Sequence, residues 1–308
     1  MKKILLTGDA EYIGTHVLVE LDKVGFQFIV YDNLSNASKK ALNHVEILIG
    51  KKITFIEGDI RNKMKLKKVF HNYTINSVIH FAELKAVGEF VKKPLSYYDN
   101  IDTINLLDIM QEFNCKEIVF SSPTTIYGDS ASVPITEDFP TFTTNPYGQN
   151  KLIIEEILQD LFLGGNRWKI IILRYSNPVG VHESDTIGED PNGIPNNLMP
   201  YISQVAVGNL PHLNIFGNDY HTVDDTGVRD YIHVVNLAYG HIKALKTIER
   251  INKVEKVNLG IGQSYSVLDM VKAFEKANGK TKSYDIAPRR ARDIAECYAD
   301  PTYAKLLS

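Results

Sequence analysis

Tyr147 and Lys151 stand four residues apart, with Gly148, Gln149 and Asn150 between them. On a helix, residues at that spacing share a face, so a phenol and an ammonium sit side by side. A cation beside a phenol favours the phenolate, which makes the tyrosine a usable base near neutral pH. A Tyr-x-x-x-Lys pair alone is common on protein surfaces, so its weight comes from position. It follows a run of alternating strands and helices, and Ser121 and Ser122 precede it at a predicted strand end.

A second group of residues lies near the N-terminus. Gly8 and Gly14 bracket the stretch from Thr7 to Gly14, which follows an apolar strand and opens a helix. That is where a strand–turn–helix unit bends around a dinucleotide pyrophosphate, offering free helix N–H groups. Asp32 ends the next predicted strand, where a carboxylate bonds an adenine ribose 2′-OH and repels a 2′-phosphate, favouring NAD over NADP. The expected central glycine is Glu11. Like charges about 4 Å apart, at an effective dielectric of about 20, repel by roughly 4 kcal/mol. That is about a thousandfold in binding unless the side chain turns away.

These groups need a scaffold, and the apolar pattern supplies one. Short runs at Ile4–Leu6, Phe28–Tyr31, Ile53–Ile56, Val78–Ile79, Ile118–Phe120 and Ile170–Leu173 read as buried strands. Helical spacing appears between them, as at Val17, Leu18 and Leu21 or Leu66, Val69 and Phe70. The alternation predicts an α/β fold of the Rossmann type, a doubly wound parallel sheet covered on both faces. From Asn177 the texture turns rich in Pro and Gly. Turns are expected at Asn192–Gly193, Gly208–Asn209 and Gly217–Asn218, and helices over 234–248 and 267–277. The predicted division is a dinucleotide-binding domain over residues 1–176 and a smaller substrate-binding lobe over 177–308, interleaved with the first.

Bulk properties narrow the function classes. The chain has 308 residues, and its 44% hydrophobic and 23% charged content is that of a folded globular protein. A formal net charge of −3 without a polybasic block gives no case for nucleic acid or a membrane surface. Lys63, Lys65, Lys67 and Lys68 read as the solvated face of a helix. No run approaches the roughly 20 apolar residues of a membrane span, and the N-terminus lacks the pattern of a signal peptide. Two distant cysteines, Cys115 and Cys297, fit a reducing cytoplasm better than a disulfide framework or a metal cluster. No metal is expected.

The motifs together carry a specific resemblance. His80–Ala82, Leu84–Glu89, Tyr97–Asn100, Ile126–Gly128, Arg174–Tyr175 and Asn177–Gly180 resemble the UDP-galactose (UDP-glucose) 4-epimerase family of extended short-chain dehydrogenase/reductases. So do Gly188–Pro191, Gly193–Pro200, Ile215–Tyr220 and Gly227–His233, and the match spans nearly the whole chain. The resemblance implies galactose metabolism, with UDP-galactose and UDP-glucose interconverted by NAD-mediated oxidation and re-reduction at sugar C4. Tyr147 is then the base and Lys151 its cationic neighbour. It places Gly8, Tyr12, Ile13, Gly14, Asp32, Asn33 and Asn36 against NAD, together with Asp59, Ile60, Phe81, Ala82, Lys85, Asn100, Tyr147, Lys151 and Tyr175. It assigns the UDP-sugar to Lys85, Asn177, Asn197, Leu198, Asn214 and Phe216, with Arg229, Arg290, Asp293 and Cys297. Arg229 and Arg290 suit bidentate capture of a diphosphate. Cys297 falls where the family carries either a bulky tyrosine or a small residue, and the small form is associated with room for an N-acetyl group, hence UDP-GalNAc or UDP-GlcNAc. The helices near 100–113 and 147–161 resemble the pair that forms the family's homodimer contact.

Departures from the family gather near the chemistry. The family's catalytic Ser/Thr falls on Pro123, leaving Ser122 or Thr124, each displaced by one residue, to replace it. Losing such a donor costs about 10²–10³ in rate. Asp9, Glu11, Glu83, Asp225 and Arg292 occupy positions normally glycine. The chain is a couple of residues short between Asn100 and Thr103, with Asp102 near a usual glycine, and it stops at Ser308, before the family's usual end. Two readings therefore stay open: an active epimerase, and a catalytically impaired or inactive paralogue that binds UDP-sugar or NAD without turnover. A 4,6-dehydratase needs an acidic pair where this chain has Thr124 and Thr125.

Overall fold

The computed structural model describes residues 2–82, 101–130, 132–165, 167–191, 193–279, 284–290 and 293–307. Its centre is one parallel sheet. Strands β1 (Lys3–Thr7), β2 (Gln27–Asp32), β3 (Thr54–Glu57), β4 (Ser77–His80), β5 (Glu117–Pro123) and β6 (Lys169–Tyr175) come from the first half of the chain. After β7 (Asn177–Val179), β8 (Leu213–Phe216), β9 (Val228–Arg229) and β10 (Tyr231–His233), strand β11 (Glu255–Leu259) returns to the sheet edge. The seven-stranded order is β11-β6-β5-β4-β1-β2-β3. The order reverses between β1 and β4, and in such sheets ligands bind outside the carboxyl ends at that point.

Side-chain alternation along the strands builds two cores. Ile4, Leu6, Val30, Ile79, Val119, Ile171 and Val257 face helices α1 (Tyr12–Lys23), α2 (Lys39–Ile49) and, later in the chain, Val234–Thr247. Leu5, Ile29, Val78, Ile118, Phe120 and Ile172 face the opposite side. They pack on α3 (Lys63–Asn72), α4 (Ile101–Glu112) and α5 (Pro146–Leu163). Where the strands are buried on both faces their central residues are apolar, which is why continuous apolar runs predicted six of them; β11 (Glu255–Leu259) has no such run and was not predicted. The four lysines of α3 are exposed as expected, and two of them pair across to α4, Lys63 with Asp108 at 2.9 Å and Lys67 with Glu112 at 2.5 Å.

The second half adds α6 (Leu198–Ala206), α7 (Val234–Thr247), α8 (Val267–Asn278) and α9 (Thr302–Leu307). Its small sheets use β12 (Tyr265–Ser266), β13 (Tyr284–Ala287) and β14 (Glu296–Cys297), paired as β10-β7, β12-β9-β14 and β13-β8. The predicted helices over 234–248 and 267–277 are α7 and α8. Gly208 and Gly217 stand at turns with positive φ, whereas Asn192 lies outside the described residues. Helix α8 starts with a reciprocal cap between Ser266 and Asp269, which satisfies two otherwise orphaned N–H groups.

Candidate active site

The start of α5 is built to hold Tyr147. Pro146 takes the first helical turn, where its missing N–H costs nothing, and Asn145 Oδ1 accepts from Gly148 N at 2.8 Å. Gly148 sits against the 3₁₀ turn after β5, since a Cβ there would lie 3.3 Å from the Thr125 carbonyl oxygen. Tyr147 is partly exposed while Lys151 is buried, with its Nζ 4.7 Å from the Phe120 ring centroid. Burial and the nearby Lys151 ammonium push His80 down to about 3. The neutral His80 ring bridges Thr7 Oγ1, at 2.7 Å from Nδ1, and Thr103 Oγ1, at 3.0 Å from Nε2.

One turn beyond Lys151 lies a residue that the sequence reading passed over. Glu155 is buried and holds Arg174, with Nε at 3.2 Å from Oε1 and Nη2 at 2.5 Å from Oε2. Arg174 Nη1 donates to Tyr127 Oη at 2.7 Å, and Tyr127 donates to Asn258 Oδ1 at 2.8 Å. Ser122 Oγ donates to Glu155 Oε1 at 2.5 Å. This network ties α5 to β5, β6 and β11, so it sets where the Tyr147 helix lies. The signal was available: Tyr147, Lys151 and Glu155 recur at four-residue spacing, which places the carboxylate on the motif's own face.

The serine and threonine that were to replace the family hydroxyl are held by different partners. Ser122 is committed to Glu155. Thr124 Oγ1 donates to Ser176 Oγ at 3.1 Å and faces Cys297 Sγ at 3.7 Å. Pro123 lies between them, paired in register with Tyr175.

At the carboxyl edge of β1 and β2 the expected dinucleotide residues converge. Gly8 has φ 71°, and a Cβ there would lie 2.2 Å from Ala82 Cα, so only glycine closes this turn. A Cβ on Gly14 would lie 2.1 Å from the Asp9 carbonyl oxygen. Asp32 accepts from Ala10 N at 3.0 Å and from Leu34 N at 2.7 Å. Asn33 Nδ2 donates to Asp59 Oδ2 at 2.9 Å, and Arg61 beside it holds the Asp59 carboxyl well below the usual range. Ile60 is buried beneath them. Phe81 N donates to Thr7 O at 2.9 Å, and the Phe81 and Tyr175 rings both pack on His241. Burial pushes the Tyr175 phenol up to about 12. Tyr12 Oη donates to Gly180 O at 2.6 Å, and Ile13 packs against the core.

Glu11 is the N-cap of α1 and its side chain caps no N–H group, and among the described residues no side chain takes the first-turn donors that suit an anion. Its carboxylate turns aside to Asn36 Nδ2, 3.0 Å away. Asn36, expected to face NAD, is thereby engaged by Glu11. Asp9 is fully buried with both carboxylate oxygens unpartnered, and burial, with Asp32 adding repulsion, pushes its pKa well up. The glycine cradle, the Asp32 carboxylate and the uncapped helix start fit a dinucleotide.

The second half of the chain carries the other expected contacts. Asn177 pairs with Tyr231 in register, and Asn197, at the start of the helix opened by Leu198, donates to Glu189 Oε1 at 2.6 Å. Asn214 Nδ2 meets Tyr201 Oη at 3.3 Å. Arg290 stacks over Phe216, 4.1 Å from the centroid. Arg229 pairs with Asp293 at 2.7 Å and also donates to the carbonyl oxygens of Val228, Ile294 and Ala295. Cys297 is buried, in register with Arg229. Asp225 adopts φ 64°, the left-handed region that explains a glycine at this position in the family. Glu83, Lys85, Asn100 and Arg292 lie outside the described residues.

Comparisons with known proteins agree with this geometry. The pattern of the NAD dependent epimerase/dehydratase family matches residues 4–260. The chain is 55% identical over 304 residues to the UDP-glucose 4-epimerase of Bacillus subtilis (strain 168), covering 98% of this chain and 90% of that one. It is 52% identical over 305 residues to that of Dictyostelium discoideum, covering 98% and 89%. The crystal structure of the UDP-glucose 4-epimerase from Bifidobacterium longum, in complex with NAD+ and UDP, superposes with a TM-score of 0.95 at 49% identity, covering 99% of this chain and 92% of that one. The Rossmann-type sheet, the Tyr147–Lys151 helix and near-full-length identity to these enzymes lead to one conclusion: this chain belongs to the NAD dependent epimerase/dehydratase family, among its UDP-glucose 4-epimerases.

Proposed function

We propose that this chain interconverts UDP-galactose and UDP-glucose. Bound NAD supplies oxidation at sugar C4 and re-reduction on the other face. Tyr147, partly exposed at the start of α5, takes the proton from the 4-hydroxyl and later returns it. Lys151 holds a positive charge one turn behind it, which favours the phenolate. The turn around Gly8, the first turn of α1, whose N-cap side chain makes no capping bond, and the Asp32 carboxylate hold the cofactor. Arg290, stacked on Phe216, and Arg229 face the nucleotide end of the substrate, and Asn177 and Asn197 face the sugar. The observation that carries the reading is the placement of Tyr147 and Lys151 on a helix fixed by the buried Glu155–Arg174 pair.

The small Cys297 supports acceptance of UDP-GalNAc and UDP-GlcNAc as well. A homodimer through α4 and α5 is part of the same reading, supported by Ile104 on α4, an exposed apolar residue. So are a cytoplasmic location and the division into residues 1–176 and 177–308. One observation favours the second reading, an impaired catalyst: Pro123 has no hydroxyl and Ser122 is committed to Glu155. Turnover of UDP-galactose to UDP-glucose separates the two. Formation of UDP-glucose that disappears in Tyr147→Phe supports the first, and a folded protein that binds UDP without turnover supports the second.

A further inference from the structure

Five hydroxyls crowd the end of β5 and the start of β7; three are engaged and a fourth is sealed from solvent. Ser121 Oγ lies 3.0 Å from His241 Nε2, and Ser122 Oγ donates to Glu155. Thr124 Oγ1 donates to Ser176 Oγ, and Thr125 Oγ1 is sealed from solvent without a partner. Ser176 differs from all four. It accepts the Thr124 proton, its own O–H meets no acceptor among the described residues, and the residue is partly exposed.

Its place is informative. Pro123 and Tyr175 are register partners, so Ser176 follows directly on the residue beside the position where the family carries its hydroxyl. Neighbouring strands run about 4.8 Å apart, and the Thr124–Ser176 bond sets Ser176 against the residue that follows Pro123. Asn177, the expected sugar contact, comes next. Behind Ser176 the donors line up: Cys297 Sγ–H points to Thr124 Oγ1 at 3.7 Å, and Thr124 Oγ1–H points to Ser176 Oγ at 3.1 Å. In such a chain each bond polarises the next, so the terminal O–H becomes a better donor.

Building on the epimerase reading, we propose that Ser176 donates a hydrogen bond to the oxygen on sugar C4, in place of the hydroxyl absent at Pro123. Thr124 and Cys297 are positioning residues that orient it. No bond is made or broken at Ser176; it stabilises the oxygen whose proton Tyr147 takes.

The test compares the affinities of UDP and UDP-galactose by calorimetry. Ser176→Ala leaves UDP affinity unchanged and weakens UDP-galactose by about five- to tenfold. Thr124→Val, which keeps the shape and breaks the chain, weakens UDP-galactose by about two- to threefold. In a Pro123→Ser background, which restores the family hydroxyl, Ser176→Ala costs less than about twofold. A wild-type ratio of the two affinities in Ser176→Ala overturns the proposal, as does an equal loss for both ligands. A wild-type protein that binds neither ligand overturns the substrate reading itself and the proposal with it.

Discussion

Two polar regions underlie the cleft, and they are built in opposite ways. Beneath Tyr147, the side chains of Ser122, Glu155, Arg174, Tyr127 and Asn258 form one connected network with every link made. Beneath the dinucleotide turn, Asp9 has both oxygens unpartnered, and the Nε2 atoms of His16 and His182 are likewise buried without a partner. A satisfied buried network fixes a geometry, whereas unspent buried polar groups cost stability. The difference teaches that the helix carrying Tyr147 is over-determined, while the Gly8–Gly14 turn tolerates groups that oppose its own folding.

The largest expected effect comes from acid. Burial pushes His16 and His241 down to about 4, and burial with the Lys151 charge pushes His80 down to about 3. Each is neutral in the fold and takes up a proton near pH 6.5 only on unfolding. The unfolded state therefore binds more protons below that pH, so stability is complete above about 6.5 and is lost as pH falls toward 4. Each group contributes on the order of 3 kcal/mol at the limit, read as the part of the stability lost between pH 7 and 4 in urea unfolding that disappears when the histidine is replaced by glutamine.

Next comes Glu155→Ala. It strands Arg174, which is buried, and is expected to cost about 3–5 kcal/mol. Denaturation midpoints report it, and an effect below 1 kcal/mol contradicts the view that this network fixes the helix.

Asp9→Ala moves the other way. The folded pKa of Asp9 is raised, so its favourable contribution exists at low pH and is lost as pH rises through the folded value. Removing the carboxyl is expected to stabilise the protein by about 1–3 kcal/mol at neutral pH, with a smaller gain near pH 4. A destabilised Asp9→Ala at neutral pH breaks the comparison. The smallest effect belongs to Tyr12→Phe, which removes the bond from the dinucleotide turn to Gly180 O and costs about 1 kcal/mol, read as a shift in thermal midpoint.

How much of this was legible beforehand follows the physics of each part. Six of the seven sheet strands were readable because burial on two faces writes itself as apolar runs, whereas the edge strand β11, with Glu255, Lys256 and Asn258 among its five residues, carries no such run and was missed. Tyr147, Lys151, Gly8 and Asp32 were readable because helix spacing and turn chemistry fix their type. Glu155 was missed because the Glu155–Glu156 pair looks like a solvated stretch of helix until the arginine opposite Glu155 is placed. The two-residue strands β9, β12 and β14 carry no periodicity to read. The destinations of the Ser122 and Thr124 hydroxyls depend on rotamers set by partners distant in sequence. Glu11 was expected to repel a pyrophosphate, and its turn toward Asn36 depends on a loop contact 25 residues away.

The most direct test of the central claim, that the altered turn still holds NAD, is to denature the purified protein and quantify released dinucleotide. The account predicts close to one NAD per chain, with Glu11 held aside by Asn36. A folded protein that releases none, and takes up none when NAD is added, contradicts it.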